Sequence, residues 1–307
     1  MGMAEKNQSA NMAVAGPELS QLRALIEERS GIFFNDSPEH DFVNRIREHM
    51  AARKMAHASD LLRLVRDSNL EYDELLECLL THPTWFLRSS STFAVLEKKV
   101  LSEMHQRKFW ENPRSLRIWS AGCATGEEPY SIAMTICDSL EFASAWNIHI
   151  LATDISHAAL QQAERGLYPL HALGALTARQ KETYFTLVNN QYLVRPTIRN
   201  MVSFAQMNLS QPVYMGRFDV IFCINVLIYF DEARRAALIH RFHEYLESGG
   251  YLFVGSGEAV ARAAGGKFEV STHGDCILYQ KPIAPKADKT SHGIGSRNGK
   301  TEREKKA

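Results

Sequence analysis

The sequence predicts an α/β protein, in which a doubly wound parallel sheet follows a small helical domain and is interrupted by a small inserted sheet. Two patterns predict this class. Apolar residues recur at helical spacing in the first quarter of the chain, and buried-strand patterns then alternate with helical patterns. At 307 residues and 45% hydrophobic content, the chain is long enough to bury a substantial core.

The helical pattern covers residues 17–80 and predicts an N-terminal domain behind a disordered segment, residues 1–16. Within this domain Arg45, His49 and Arg53 recur every four residues beside an apolar row. We call these three residues the basic stripe. Such a stripe is either a solvated helix face or a docking surface for an acidic partner helix, and the sequence leaves both interpretations open.

The predicted α/β domain spans residues 81–281. Its strand patterns are LRIWSA (116–121), IHILAT (148–153), FDVIFCI (218–224) and GGYLFVGS (249–256), and its clearest helix patterns cover residues 128–140 and 231–246. The β-branched segment QYLVRPTIRNMVSF predicts an inserted antiparallel sheet at about residues 183–206, with Pro196 on a strand edge. Residues 282–307 contain seven Lys or Arg and three acidic residues, which predicts a disordered basic tail.

Charge and cysteine usage narrow the function classes. The formal net charge of zero argues against a nucleic-acid partner. The five cysteines include no Cys-x-x-Cys pair, which is typical of a reducing compartment, and no stretch approaches 18 consecutive apolar residues. We therefore expect a cytoplasmic protein without direct membrane insertion. No His cluster matches a metal motif, so we also expect no metal.

The segment SAGCATGEEPYS, residues 120–131, predicts a glycine turn between a strand and a helix. Gly122 would let the backbone approach a ligand closely. Such turns often bind phosphate at the helix N-terminus, but Glu127 and Glu128 would repel one. Glu128 also fits a capping box with Thr125, a role that needs no ligand.

Asp154 ends the second predicted strand, at the C-terminal edge of the sheet. A carboxylate at this place can accept hydrogen bonds from both hydroxyls of a ribose, or it can cap the helix that begins near Ser156. Together with the glycine turn and its acids, Asp154 indicates a nucleoside ligand without phosphates. S-adenosylmethionine fits, because its charged groups are a sulfonium, an ammonium and one carboxylate.

Four motifs together resemble the CheR-type glutamate O-methyltransferases of chemotaxis receptors. THPTWFLR, GCATGEEPYS, TDIS and FDVIFCINVLIYFD occur in that family's order and at compatible spacing, and the helical region is similar as well. The resemblance covers residues 17–281. It implies a class I S-adenosylmethionine-dependent methyltransferase domain of Rossmann-like fold, an all-helical N-terminal domain and an inserted antiparallel β-subdomain.

The resemblance also implies which residues form the site. Arg88 and Tyr229 match the residues beside the transferred methyl group and are the expected catalytic residues. His82, Leu87 and Ile224 differ from the residues that the family usually has, and His82 and Ile224 border the cofactor. The expected cofactor-binding residues are His82, Thr84, Arg88, Gly122, Glu128, Asp154, Asn208, Leu209, Ile224 and Asn225.

The implied activity is methylation of glutamate side chains on the cytoplasmic methylation helices of chemoreceptors, which yields S-adenosylhomocysteine. The basic stripe would then face acidic receptor helices. In relatives the inserted subdomain can grip a receptor tail by adding a strand, and Pro196 predicts weak tethering here. Two alternatives stay open: a methyltransferase for another substrate, and an S-adenosylmethionine-binding sensor or adaptor with reduced or lost activity.

Overall fold

The computed structural model describes residues 16–34, 39–81, 83–112, 114–212, 215–255, 258, 265–274 and 276–283. His82 lies outside these residues. The predictions of disorder for residues 1–16 and 282–307 also fall almost wholly outside them.

The described part of the N-terminal domain contains four helices, and their apolar faces meet in a shared core. They are α1 (Pro17–Ser30), α2 (Glu39–Ala52), α3 (Ala58–Asp67) and α4 (Asn69–Leu79). Leu22, Ile46 and Leu61 are fully buried between them, as the helical spacing predicts. Helix α1 ends where Gly31 adopts a left-handed conformation with φ 78°, and Gly31 N donates to the carbonyl of Glu27.

The larger domain contains ten strands within the described residues, arranged in two sheets. They are β1 (Ser115–Ala121), β2 (Asn147–Asp154), β3 (Leu167–Pro169), β4 (Phe185–Val188), β5 (Gln191–Val194), β6 (Val202–Gln206), β7 (Phe218–Cys223), β8 (Leu246–Val254), β9 (Glu269–His273) and β10 (Cys276–Gln280). The larger sheet has the order β6-β2-β1-β7-β8-β10-β9. Its first five strands are parallel, which confirms the predicted class, and β9 and β10 add an antiparallel hairpin.

The helices of this domain pack around its two sheets. They are α5 (Ser90–Val95), α6 (Ser102–Lys108), α7 (Glu127–Ser139), α8 (His157–Arg165), α9 (Ala178–Tyr184), α10 (Pro196–Arg199) and α11 (Glu232–Tyr245), and a π-helical turn joins α5 to α6. Consecutive residues of β1 alternate between two cores, since Ile118 packs into one and Trp119 into the other. A sheet buried on both faces leaves its strand ends as the place for a ligand.

The inserted sheet lies earlier in the chain than the sequence predicts. It consists of β3, β5 and β4 in that order, between residues 167 and 194, with all pairs antiparallel. Residues 202–206, expected within it, instead pair parallel with β2 at the edge of the larger sheet. Pro196 begins α10 and does not lie on a strand edge. The prediction was wrong because β-branched residues favour a strand in either sheet and do not identify the partner strand.

Candidate functional site

The strand ends of the larger sheet open into a pocket of about 230 Å³. Loops after β1, β2 and β7 form one wall, and the helical domain contributes Ile32, Phe34 and Leu79 to another. The structure brings together every predicted catalytic and cofactor-binding residue that it describes. These are Thr84, Arg88, Gly122, Glu128, Asp154, Asn208, Leu209, Ile224, Asn225 and Tyr229.

The turn after β1 requires glycine at its first position. Gly122 adopts φ +84°, and a Cβ on it would lie 2.4 Å from Cγ2 of Val226. The amides of Gly122 and Cys123 both donate to the carbonyl of Thr153, at 2.7 and 2.9 Å. The turn is therefore fastened to the end of β2, and its backbone forms part of the pocket wall.

Glu128 lies in the pocket wall and does not close a capping box. Its Oε1 accepts a hydrogen bond from Ser120 Oγ at 2.7 Å, and α7 is preceded by Gly126 with no side-chain cap. Burial raises the pKa of Glu128 to about 7, the negative charge of Glu258 acts in the same direction, and the Ser120 hydroxyl and Arg88 oppose the rise. A carboxyl with this pKa can meet a cationic ligand by losing its proton.

Glu127, the other acid of the turn, forms a hydrogen bond within the turn and is not in the pocket lining. Thr125 Oγ1 donates to its Oε2 at 2.7 Å, and the residue is only 5% exposed. Burial raises the pKa of Glu127 as well. Of the two acids that the sequence offered for a positive charge, the structure places Glu128 in the pocket lining.

Asp154 both braces a turn and lines the pocket. Its Oδ2 accepts from Ala124 N at 2.8 Å, and its Oδ1 accepts from Ser156 N at 2.9 Å. Ser156 caps α8 with its own hydroxyl, which accepts from Ala159 N at 3.0 Å. The carboxylate thus joins the loops after β1 and β2 at the position where a ribose is expected.

Arg88 follows a strained turn at the rim of the pocket. Its guanidinium donates to the carbonyl of Pro83 and lies 4.6 Å from the centre of the Trp85 ring, which is 47% exposed. Leu87 adopts φ 53°, which is unfavourable for a branched side chain, and its amide donates to Ser131 Oγ at 2.9 Å. The hydrogen bond from Leu87 to Ser131 of α7 stabilises this unfavourable backbone conformation, and Leu87 directly precedes Arg88.

The loop after β7 presents Asn225 and Tyr229. Asn225 adopts a left-handed φ of 58°, and a short 3₁₀ turn ends at Tyr229. Phe33 N donates to the carbonyl of Tyr229 at 2.8 Å, while Glu258 accepts from the amides of Asn225 and Ile228, both at 3.1 Å. Sequence reasoning missed Glu258, whose only signal was an acid in the segment GSGE after the fourth predicted strand.

Asn208 joins the two domains at the pocket. Its Nδ2 donates to the carbonyl of Arg29 in α1 at 3.0 Å, and its Oδ1 accepts from Ser210 N at 2.9 Å. Leu209, 9% exposed, follows it in the pocket lining. The loop after β6 therefore contributes to the site through residues that are also tied to the helical domain.

The basic stripe is not an exposed surface. His49 is 3% exposed, and its Nδ1 lies 3.2 Å from Sγ of Cys78. Arg45 donates to the carbonyl of Cys78 at 3.1 Å, and Arg53 pairs with Glu71 at 3.0 Å. The expectation of a free basic face is corrected because α4 covers α2 along this face. Docking by the exposed atoms of these residues stays a prediction.

The described part of the chain lacks two features. No helix in it is both long and apolar enough to cross a membrane. None of its groups of three or more His, Cys, Asp or Glu has an arrangement that could hold a metal ion.

Known proteins match both domains in tandem. The family model for the CheR methyltransferase all-alpha domain matches residues 17–80, and the model for the CheR methyltransferase SAM binding domain matches residues 82–274. The chain is 32% identical over 276 residues to the chemotaxis protein methyltransferase of Vibrio parahaemolyticus, covering 88% of this chain and 98% of the relative. It is 31% identical over 256 residues to that of Borreliella burgdorferi, covering 81% and 90%. The chain therefore belongs to the CheR methyltransferase family, and it is a methyltransferase with an S-adenosylmethionine-binding domain.

Proposed function

We propose that this protein transfers the methyl group of S-adenosylmethionine to glutamate side chains of chemotaxis-type receptors. The products are glutamate methyl esters and S-adenosylhomocysteine. The observation that carries the proposal is one pocket in which Glu128 and Asp154 lie together with Arg88 and Tyr229, in a chain of the CheR family. Its relatives in V. parahaemolyticus and B. burgdorferi are chemotaxis protein methyltransferases.

The residues of the pocket fit S-adenosylmethionine. Gly122 permits the φ of +84° that places the backbone of the turn in the pocket wall, Asp154 offers a carboxylate to the ribose, and Glu128 offers one to the ammonium group. When bound, the cofactor supplies an electrophilic methyl group on a sulfonium. Further residues available to hold it are Thr84, Arg88, Asn208, Leu209, Ile224 and Asn225.

A glutamate nucleophile needs no general base, because its ordinary pKa of about 4.3 leaves it ionised near neutral pH. The task of the protein is then to align the carboxylate with the methyl group and to exclude water. We assign to Arg88 the positioning of the incoming carboxylate by charge-assisted hydrogen bonds, and to Tyr229 its orientation through the hydroxyl. Trp85 and Val226 supply apolar wall beside them.

A labelling experiment tests the reaction. Receptor-containing membranes are incubated with the protein and radiolabelled S-adenosylmethionine, and the labelled bands are then treated with mild alkali. Label in a receptor band that leaves as methanol identifies a carboxyl ester. Alkali-stable label would indicate methylation at nitrogen and contradict the proposal. Cofactor binding without any label would favour the sensor or adaptor alternative.

Matched variants test the two assigned residues. Arg88→Ala and Tyr229→Phe should each lower kcat by about tenfold or more, while changing S-adenosylhomocysteine affinity much less. Arg114→Ala is the control, because Arg114 also donates to a carbonyl five residues earlier and also lies over an aromatic ring, that of Phe109, yet is not in the pocket lining. Wild-type turnover in either test variant would contradict that assignment.

The proposed partner is the set of methylation helices of a cytoplasmic receptor region, which also requires a cytoplasmic enzyme.

A second contact with a receptor tail through the inserted subdomain is part of the proposal. Pro196 lies outside the three-stranded sheet, so the reason for expecting weak tethering does not apply. Strand β4 is an edge strand and exposes Leu187. Titration with receptor tail peptides tests this contact, and the absence of binding would remove it.

A further inference from the structure

A buried carboxylate, that of Glu258, lies behind the loop that carries Asn225 and Tyr229. The residue is 2% exposed. Its Oε2 accepts from Asn225 N at 3.1 Å and from Gly255 N at 2.6 Å, and its Oε1 accepts from Ile228 N at 3.1 Å. One side chain therefore satisfies three backbone donors that follow the ends of β7 and β8.

The hydrogen bonds of Glu258 lie just beyond the last paired residues of β7 and β8. The pairing between β7 and β8 ends at Cys223 and Val254. The amides of Asn225 and Ile228 lie beyond that ladder and take their hydrogen bonds from Glu258. Asn225 also has a left-handed backbone, a conformation that asparagine adopts more readily than most residues. The carboxylate thus supports the loop and adds nothing to the strand pairing.

Gly255 leaves the space that the Glu258 carboxylate occupies. A Cβ on Gly255 would lie 2.6 Å from Oε2 of Glu258, so the residue at this position must be glycine for the carboxylate to approach. Glu258 N also donates to the carbonyl of Gly255 at 2.9 Å. The two residues form a unit that ends β8 and reaches across to the loop after β7.

The loop after β7, which Glu258 supports, lines the pocket. Asn225 and Tyr229 are both in its wall, and the side chain of Tyr229 packs against the core of the helical domain. Phe33 N holds the carbonyl of Tyr229 from that side at 2.8 Å, and Glu258 holds the loop from the sheet side. A shift of this loop would move two side chains assigned to cofactor and substrate.

We propose that Glu258 is a positioning residue, which fixes the backbone of residues 225–228 so that Asn225 and Tyr229 face the pocket. The catalytic consequence rests on the proposed function. The positioning itself is a property of the loop and can be measured without a receptor.

Hydrogen exchange and ligand titration test the proposal on two variants. Glu258→Ala removes both acceptor oxygens and therefore all three hydrogen bonds, and Glu258→Gln keeps one oxygen. In Glu258→Ala, the amides of residues 224–230 should exchange about tenfold faster while those of residues 218–223 keep their rates. Affinity for S-adenosylhomocysteine should fall about tenfold in Glu258→Ala and less in Glu258→Gln.

Asp219→Asn is the matched control. Asp219 is also 2% exposed and lies near the other end of β7, where it accepts from Arg117 N at 2.9 Å. This variant should leave exchange in residues 224–230 and affinity for S-adenosylhomocysteine unchanged. A change equal to that in the Glu258 variants would show a general loss of stability and overturn the proposal.

A double variant separates positioning from a structural role. When Asn225→Ala is already present, adding Glu258→Ala should weaken S-adenosylhomocysteine binding little further, because the contact it supports is gone. Fully additive losses, unchanged exchange in residues 224–230, or faster exchange throughout β7 and β8 would each overturn the proposal.

If Glu258→Ala does not fold, hydrogen exchange in residues 224–230 of Glu258→Gln tests the proposal in its place. A wild-type protein that binds the ligand but labels no receptor would refute the proposed function and leave these results intact.

Discussion

Binding of S-adenosylmethionine should strengthen as the pH rises, because Glu128 changes charge near neutral pH. The pKa of Glu128 is raised to about 7, mainly by burial and also by the negative charge of Glu258, while Ser120 and Arg88 oppose the rise. A cationic ligand prefers the ionised carboxylate. If only that form binds, the apparent Kd carries the factor 1 + 10^(pKa − pH), about 11 at pH 6 and about 1.1 at pH 8. Affinity should therefore rise about tenfold over this interval.

Isothermal titration across this pH interval measures the effect. At pH 7 the wild-type protein should release about half a proton on binding, which titrations in two buffers of different ionisation enthalpy can count. Glu128→Gln is the control, because it keeps the size of the side chain but does not titrate. Any slope that remains in it belongs to the amino group of the ligand or to other residues. A flat wild-type profile, or an equal slope in Glu128→Gln, would refute the assignment of Glu128 to the cationic end of the ligand.

Three further predictions concern the turn, the domain junction and the basic stripe. Gly122→Ala should lower stability by about 1–3 kcal/mol and weaken ligand binding, since its Cβ would lie 2.4 Å from Val226; unchanged melting and affinity would contradict this. Glu77→Gln should lower the free energy of unfolding by about 1–2 kcal/mol in denaturant titrations, because its carboxylate accepts from Ser156 Oγ at 2.5 Å across the domain junction. Arg53→Glu should lower the melting temperature, because the new carboxylate would repel two glutamates of α4. If the variant keeps its stability but binds receptor more weakly at low salt, the basic stripe is a docking surface and not a structural contact.

The strand-end residues could be predicted because each lies within a short motif whose chemistry is local. Gly122 and Asp154 directly follow strand patterns, Glu128 lies in the first turn of the helix that begins after Gly122, and the ends of parallel strands share one edge of a sheet. Glu258 could not be found in this way. It is 33 residues from Asn225, with a helix and a strand between them, and a single acid carries no spacing pattern. Its role depends on which strand ends are neighbours.

Helix periodicity has a similar limit. The four-residue spacing of Arg45, His49 and Arg53 correctly puts them on one face of α2, but it contains no information about the helix that covers that face. The edge position of β6 was missed for the same reason, since pairing with β2 is a property of the sheet and not of either segment. What the sequence could not supply in each case was a partner distant in the chain.

The helical domain is part of the ligand site and is not merely attached to it. Three of its contacts end on pocket loops: Arg29 accepts from Asn208, Phe33 donates to Tyr229, and Gly31 packs so closely that a Cβ there would lie 1.6 Å from Ser210 Oγ. The C-terminal end of α1 and the loops after β6 and β7 must therefore take their places together. Since those loops carry residues assigned to both cofactor and substrate, we expect the affinity for S-adenosylmethionine to depend on both domains and the methyltransferase domain alone to lack one wall of its own pocket.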